Sequence, residues 1–300
     1  MNNTKLSLHT KTRNWLLKHP RLNPYNISLD RTLRTITSFF RLKPDFIIIG
    51  YHKCGTTSLY DYICQHPNVG HASRKEIHYF DLAYWRGPGW YRTYFPTIFT
   101  KKKIEKKTKH RFTTGEASPL YVIHPFAPQR IHKLIPNVKI IILLRNPVDR
   151  AYSHYQHAYL ADQEFASFEE TINEDDDRWN VFIKQLSNDE IHDYDVKYIK
   201  TPYRSFGKYI DHIKLWYETF PKDQILVLKL EDLESNLHDT LKQTFLFLGL
   251  PNFTIKNTEK KNVREYDKME AKTRNLLLDY YRPYNKKLEE FLERQLNWNQ

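Results

Sequence analysis

Three hundred residues carrying a formal charge of +12, with a pI near 9.4, suffice for one large α/β domain or two small ones and draw anionic partners. Aromatic residues make up 15%, which excludes a disordered chain and calls for a packed core. Two cysteines, Cys54 and Cys64, exclude a disulfide scaffold, form no zinc-like cluster and suit a reducing compartment.

Residues 1–43 are basic and polar. Leu33, Ile36, Phe39 and Phe40 recur at helical spacing, which predicts an amphipathic helix over 29–41. The segment reads as an N-terminal arm packed on a domain spanning 44–300, with contact to a membrane surface as the alternative. No run approaches the ~20 apolar residues of a membrane span, and the N-terminus lacks the apolar core of a signal peptide. After Pro44, the run 45–50 ends in Gly50 and reads as a buried parallel strand. A helix is predicted over 56–65, a strand over 112–116 and a helix over 124–135. Residues 139–144 form the strongest strand signal, and a helix follows from Pro147. Further on, 205–219 reads as a helix, 225–230 as a strand, and 232–248 and 270–294 as helices. Two charged runs, 101–107 and 174–177, read as solvated loops, with polyanion binding as the alternative for 101–107. Alternating strands and helices predict an α/β fold with a central, mainly parallel, five-stranded sheet flanked by helices. Ligands on such sheets bind at the carboxyl ends of strands, which singles out residues just after 49 and just after 144.

After the first strand comes Gly50-Tyr51-His52-Lys53-Cys54-Gly55-Thr56-Thr57-Ser58. The glycine spacing is that of a phosphate-binding P-loop, and strand–loop–helix geometry aims N–H groups at an anion. A nucleotide kinase, however, places its lysine after the second glycine and needs an acidic residue for Mg²⁺. Here Lys53 lies inside the loop. The strongest strand ends in Arg145-Asn146-Pro147-Val148-Asp149-Arg150-Ala151-Tyr152-Ser153-His154. Arg145 offers a planar donor fork suited to phosphate, and Ser153 lies about two helical turns on. A purely structural role would instead pair Arg145 with Asp149.

Together these motifs resemble the sulfotransferases that use 3′-phosphoadenosine-5′-phosphosulfate (PAPS), and within them the heparan-sulfate and bacterial carbohydrate branch. The resemblance runs from about residue 44 to 290. It implies a P-loop-like fold in which Lys53, Cys54, Gly55, Thr56, Thr57 and Ser58 hold the 5′-phosphosulfate, and Arg145 and Ser153 the 3′-phosphate. It implies a metal-free reaction, because a sulfuryl group carries less charge than a phosphoryl group. The segment Lys75-Glu76-Ile77-His78-Tyr79-Phe80-Asp81 matches the one that supplies the branch's glutamate base, which makes Glu76 the expected base. If the segment is extended, Glu76 and His78 point to one side. His78 and Asp81 then orient the base or the sugar, or His78 itself acts as the base. A surface ion pair of Lys75 with Glu76 is the structural alternative.

Trp85 and Trp90, beside Arg86, suit stacking against a sugar acceptor or packing on the core. Residues 115–119 also match the family, but Ala117 stands where heparan-sulfate enzymes often carry Lys. Lys261 and Arg264, with Lys260, fall where the family closes a loop over the 3′-phosphate, although its glycine is missing here. The expected activity is sulfuryl transfer from PAPS to a hydroxyl or amine on a glycan, with no nucleic-acid partner and no transmembrane segment. Lacking the anchor of Golgi carbohydrate enzymes, the chain is expected in the cytoplasm. A P-loop kinase, revealed by Mg²⁺-dependent ATP turnover, and a non-catalytic polyanion binder are the rival readings.

Overall fold

The computed structural model describes residues 29–187, 201–259 and 266–298. In chain order it opens with α1 (Leu29–Ile36), β1 (Phe46–Gly50), α2 (Thr56–Ile63), β2 (Val69–Gly70), α3 (Gly87–Arg92) and α4 (Ile98–Thr108). Next come β3 (Thr113–Ala117), α5 (Ala127–Leu134), β4 (Lys139–Leu144), α6 (Pro147–Tyr159), α7 (Phe168–Asn173) and α8 (Asp175–Ser187). It closes with α9 (Tyr209–Thr219), β5 (Ile225–Lys229), α10 (Leu230–Ser235), α11 (Leu237–Leu248) and α12 (Ala271–Leu292).

The sheet has five strands, all parallel, in the order β2-β3-β1-β4-β5. β1 and β4 occupy its middle. Every residue of β1 is buried, and so is β4 from Ile140 to Leu144, as central strands covered on both faces require. The chain leaves β1 toward β2 on one side and leaves β4 toward β5 on the other. This divergence opens a crevice at the carboxyl ends of the two strands. Among the described residues, no helix is long and apolar enough to cross a membrane.

Several elements differ locally from expectation. The helix predicted over 29–41 ends at Ile36, and a 3₁₀ turn, Ser38–Phe40, follows. This part of the arm is fastened to the domain: Leu42 N donates to Pro96 O at 2.9 Å, and Arg92 donates to Phe39 O at 2.8 Å. The helix predicted over 232–248 breaks at Asn236, whose φ of −136° is not helical. Lys101 to Lys107 form no loop. They lie in α4, which Thr97 caps by accepting from Thr100 N at 3.2 Å. The acidic run is not a surface loop either. The Asp175 carboxylate is buried at the start of α8 and accepts from Arg204 N at 2.7 Å and Ser205 N at 2.6 Å. Those two backbone donors explain how a buried carboxylate is tolerated.

Candidate active site

Gly50 lies opposite Leu143 in the sheet, so the loops leaving β1 and β4 emerge side by side. A side chain at Gly50 would press its Cβ to 2.5 Å from Leu143 O. Gly55 has φ +85°, and a Cβ there would meet Leu230 at 2.6 Å. Both glycines therefore serve the tight return of the chain into α2. Lys53 also sits in the left-handed region, at φ 69°. Arg145 Nη1 donates to Lys53 O at 3.1 Å and ties the two loops together. Arg145 does not pair with Asp149, whose carboxylate binds Arg274 at 2.7 Å. The first N–H groups of α2 have no acceptor within the helix, and Gly55 brings no side chain to cap them.

These loops bound a cleft of about 460 Å³. Lys53, Gly55, Thr56, Thr57, Ser58, Glu76, Arg145 and Ser153 all line it. The expected phosphate-binding residues and the expected base thus meet in one space. Cys54 is buried instead, and burial pushes its thiol up to about 11. Neither Trp85 nor Trp90 is among the lining residues. Trp85 is exposed with Arg86 4.6 Å from its ring, whereas Trp90 packs edge-on against Tyr94 and the core. Lys260, Lys261 and Arg264 lie outside the described residues.

The segment carrying Glu76 is not extended. Glu76 and His78 have φ of 56° and 54°, a region that residues other than glycine enter only when their surroundings enforce it. Here the surroundings are the end of β3 and the turn after it. Glu76 N donates to Ala117 O at 3.1 Å, His78 N to Ser118 Oγ at 3.4 Å and Tyr79 N to Tyr121 Oη at 2.7 Å. The side chains of Glu76 and His78 still meet, with 3.8 Å between Oε2 and Nε2. His78 Nδ1 lies 2.8 Å from Asp81 Oδ2, and Asp81 is buried. Lys75 does pair with Glu76, at 3.1 Å, and it also donates to Thr57 Oγ1, linking the carboxylate to the phosphate loop.

These contacts set the charges. The ion-pair contact with His78 outweighs desolvation and, with Lys75, holds Glu76 down to about 2. Desolvation alone would lower His78, but the charge and hydrogen bond of Asp81, joined by Glu76, raise it to about 9. At neutral pH Glu76 is therefore a carboxylate and His78 an imidazolium. Because the folded pKa of His78 exceeds its unfolded value, this contribution to stability is complete below about pH 6.5 and is lost as pH rises through about 9. An NMR titration of the His78 ring should find its midpoint near 9, and a midpoint near 6.5 would contradict this charge assignment.

Glu116 carries no role in the sequence-based expectations. Its carboxylate, in β3, is fully buried. It accepts from Tyr91 Oη at 2.5 Å, Ser118 Oγ at 2.7 Å and Tyr121 Oη at 3.4 Å. Burial raises it to about 7 against the hydrogen bonds of Tyr91 and Ser118. Ser118 and Tyr121 are the same groups that hold the backbone of His78 and Tyr79. Glu116 is thus the buried post behind the Glu76 loop. Glu116→Ala strands three buried hydroxyls and should destabilise the fold by about 3 kcal/mol in urea unfolding. A cost below about 1 kcal/mol would mean that the network relaxes without it.

His52 and His157 also line the cleft. His52 stacks on His154 at 4.9 Å, and burial lowers it to about 4, so it is neutral. His157 lies four residues after Ser153, one turn along the same face of α6. That spacing was the available signal for it.

A family model described as "Sulfotransferase domain" matches residues 43–296. The membrane-associated sulfotransferase kil1 of Dictyostelium discoideum is 27% identical over 85% of this chain and 66% of its own length. Human carbohydrate sulfotransferase 15 is 28% identical over 84% of this chain and 54% of its own length. The chain spans as little as 22% to 30% of the bifunctional heparan sulfate N-deacetylase/N-sulfotransferases it also matches. Among solved structures, a sulfotransferase from Alicyclobacillus acidocaldarius superposes with a TM-score of 0.66 at 28% identity, covering 86% of this chain and 100% of that one. With its sheet order, its strand-end cleft and a family match over residues 43–296, the chain belongs to the sulfotransferase domain family.

Proposed function

We propose that this chain transfers a sulfuryl group from PAPS to a hydroxyl or amine of a carbohydrate acceptor. The observation that carries this reading is the meeting of two anion-binding loops and an ionised carboxylate, Glu76, in one cleft. The donor set suits a bisphosphate: Lys53, Arg145, the hydroxyls of Thr56, Thr57, Ser58 and Ser153, and the N-terminus of α2. No acidic residue lies within 51–58. When bound, PAPS supplies the activated sulfuryl group and a phosphate leaving group.

In this reading Lys53 to Ser58 hold the 5′ end, and Arg145 and Ser153 hold the 3′-phosphate. Lys53 stabilises charge that grows on the leaving phosphate. Glu76 accepts the acceptor's proton. Its low basicity suffices because the acceptor O–H or N–H becomes acidic as its bond to sulfur forms. His78, protonated below about 9, is a donor that keeps Glu76 ionised and aimed, which favours Glu76 over His78 as the base. Asp81 holds His78 in turn. Trp85, exposed beside Arg86, is the better placed of the two tryptophans to stack on a sugar. The unpaired, buried Cys54 and Cys64 support a reducing, cytoplasmic setting.

The test is transfer of label from radiolabelled PAPS to a panel of desulfated polysaccharides, phenols and simple alcohols. Label on a polysaccharide is expected. Label on phenols alone, or none anywhere, would overturn the carbohydrate assignment.

A further inference from the structure

An exposed apolar surface lies outside the cleft lining, where the arm meets α4. Leu33 and Ile36 stand one turn apart on α1 and are 51% and 68% exposed. In the next turn Phe39 is 83% and Phe40 56% exposed. Ile98 and Phe99, the first residues of α4, are exposed as well. The Phe40 and Phe99 rings lie 5.8 Å apart, and Arg41 pairs with Thr97, so the two elements form one fixed patch. A patch of this kind marks an interaction site more often than chance exposure.

Its charge is as ordered as its apolarity. On α4, Phe99, Lys102, Lys103 and Lys106 share one face by helical spacing. Lys102, Lys103, Lys106, Lys107 and Lys109 are all exposed. The sole acidic residue of α4, Glu105, is half-buried, accepts from Phe112 N at 2.9 Å and lies 4.0 Å from Lys101. The face bearing Lys102, Lys103 and Lys106 is therefore positive beside exposed phenyl rings. A soluble polyanion needs the lysines but has no use for the rings. A lipid interface uses both, because rings enter the acyl boundary while lysine stems reach back to anionic headgroups. None of these residues lines the cleft.

We propose that this face docks the protein peripherally on an anionic membrane surface. The test is co-sedimentation of the full chain with vesicles of phosphatidylcholine alone and of phosphatidylcholine mixed with phosphatidylserine. Binding is expected only where phosphatidylserine is present. Lys102→Ala/Lys103→Ala/Lys106→Ala should weaken it about fivefold per lysine. Phe39→Ser/Phe99→Ser should weaken it about tenfold or more per ring. Both variants should keep the wild-type thermal transition and bisphosphate binding, since every altered side chain is exposed. Absence of binding to the mixed vesicles, or wild-type binding by either variant, overturns the proposal. Heparin retention that depends on the lysines while vesicle binding ignores the rings would assign the face to a polyanionic glycan instead.

Discussion

Glu76→Gln should lower kcat by about 10²- to 10⁴-fold while leaving nucleotide affinity at its wild-type value. The amide keeps the side-chain volume and can still accept from Lys75 through its oxygen. It cannot take a proton. It also removes one of the two negative charges that hold His78 protonated, so the His78 midpoint should fall below about 9 in the same variant. Single-turnover rates, bisphosphate titration and the histidine resonance test the three consequences separately. Near-wild-type kcat would sink the assignment of Glu76 as base and turn attention to His52, which is neutral and lines the same cleft.

Lys53→Met should cost about 10²- to 10³-fold in kcat, the range for losing one preorganised donor to a developing charge. The loop should survive the change. Its left-handed turn is held through the backbone, where Arg145 grips Lys53 O. Methionine spans a similar length without the charge, so the loss reports electrostatics rather than packing. The split between constants is diagnostic. A fall in kcat at little-changed KM for PAPS identifies stabilisation of the leaving phosphate, whereas a rise in KM at constant kcat identifies ground-state binding alone.

Much of this architecture is legible in the sequence, for definable reasons. β1 and β4 announce themselves because a central parallel strand buried on both faces must be apolar throughout. Once those strands are placed, Lys53 and Arg145 fall just beyond strand carboxyl ends; that the two strands are neighbours is seen only in the structure. β2 is invisible because two residues carry no period. The left-handed backbone at Glu76 and His78 is equally hidden. Nothing in a glutamate or a histidine signals positive φ, and the cause lies forty residues away in Ser118 and Tyr121. Glu116 could have been noticed as a carboxylate inside a strand, with a serine two residues on to bind it. Its partner Tyr91 is a tertiary neighbour that no local pattern reveals. The charged runs mislead for a related reason. Composition alone does not separate a solvated loop from a helix with one wet face, nor an exposed Asp175 from one satisfied by two distant N–H groups.

The most direct measurement is a calorimetric titration of adenosine 3′,5′-bisphosphate into the wild-type chain and into Arg145→Ala, with ATP in parallel. Saturable binding of the bisphosphate, tighter than that of ATP, is expected, with a loss of about tenfold to a hundredfold in Arg145→Ala as a charge-assisted phosphate contact is removed. A preference for ATP, or a bisphosphate affinity indifferent to Arg145, would contradict the assignment of this cleft to PAPS.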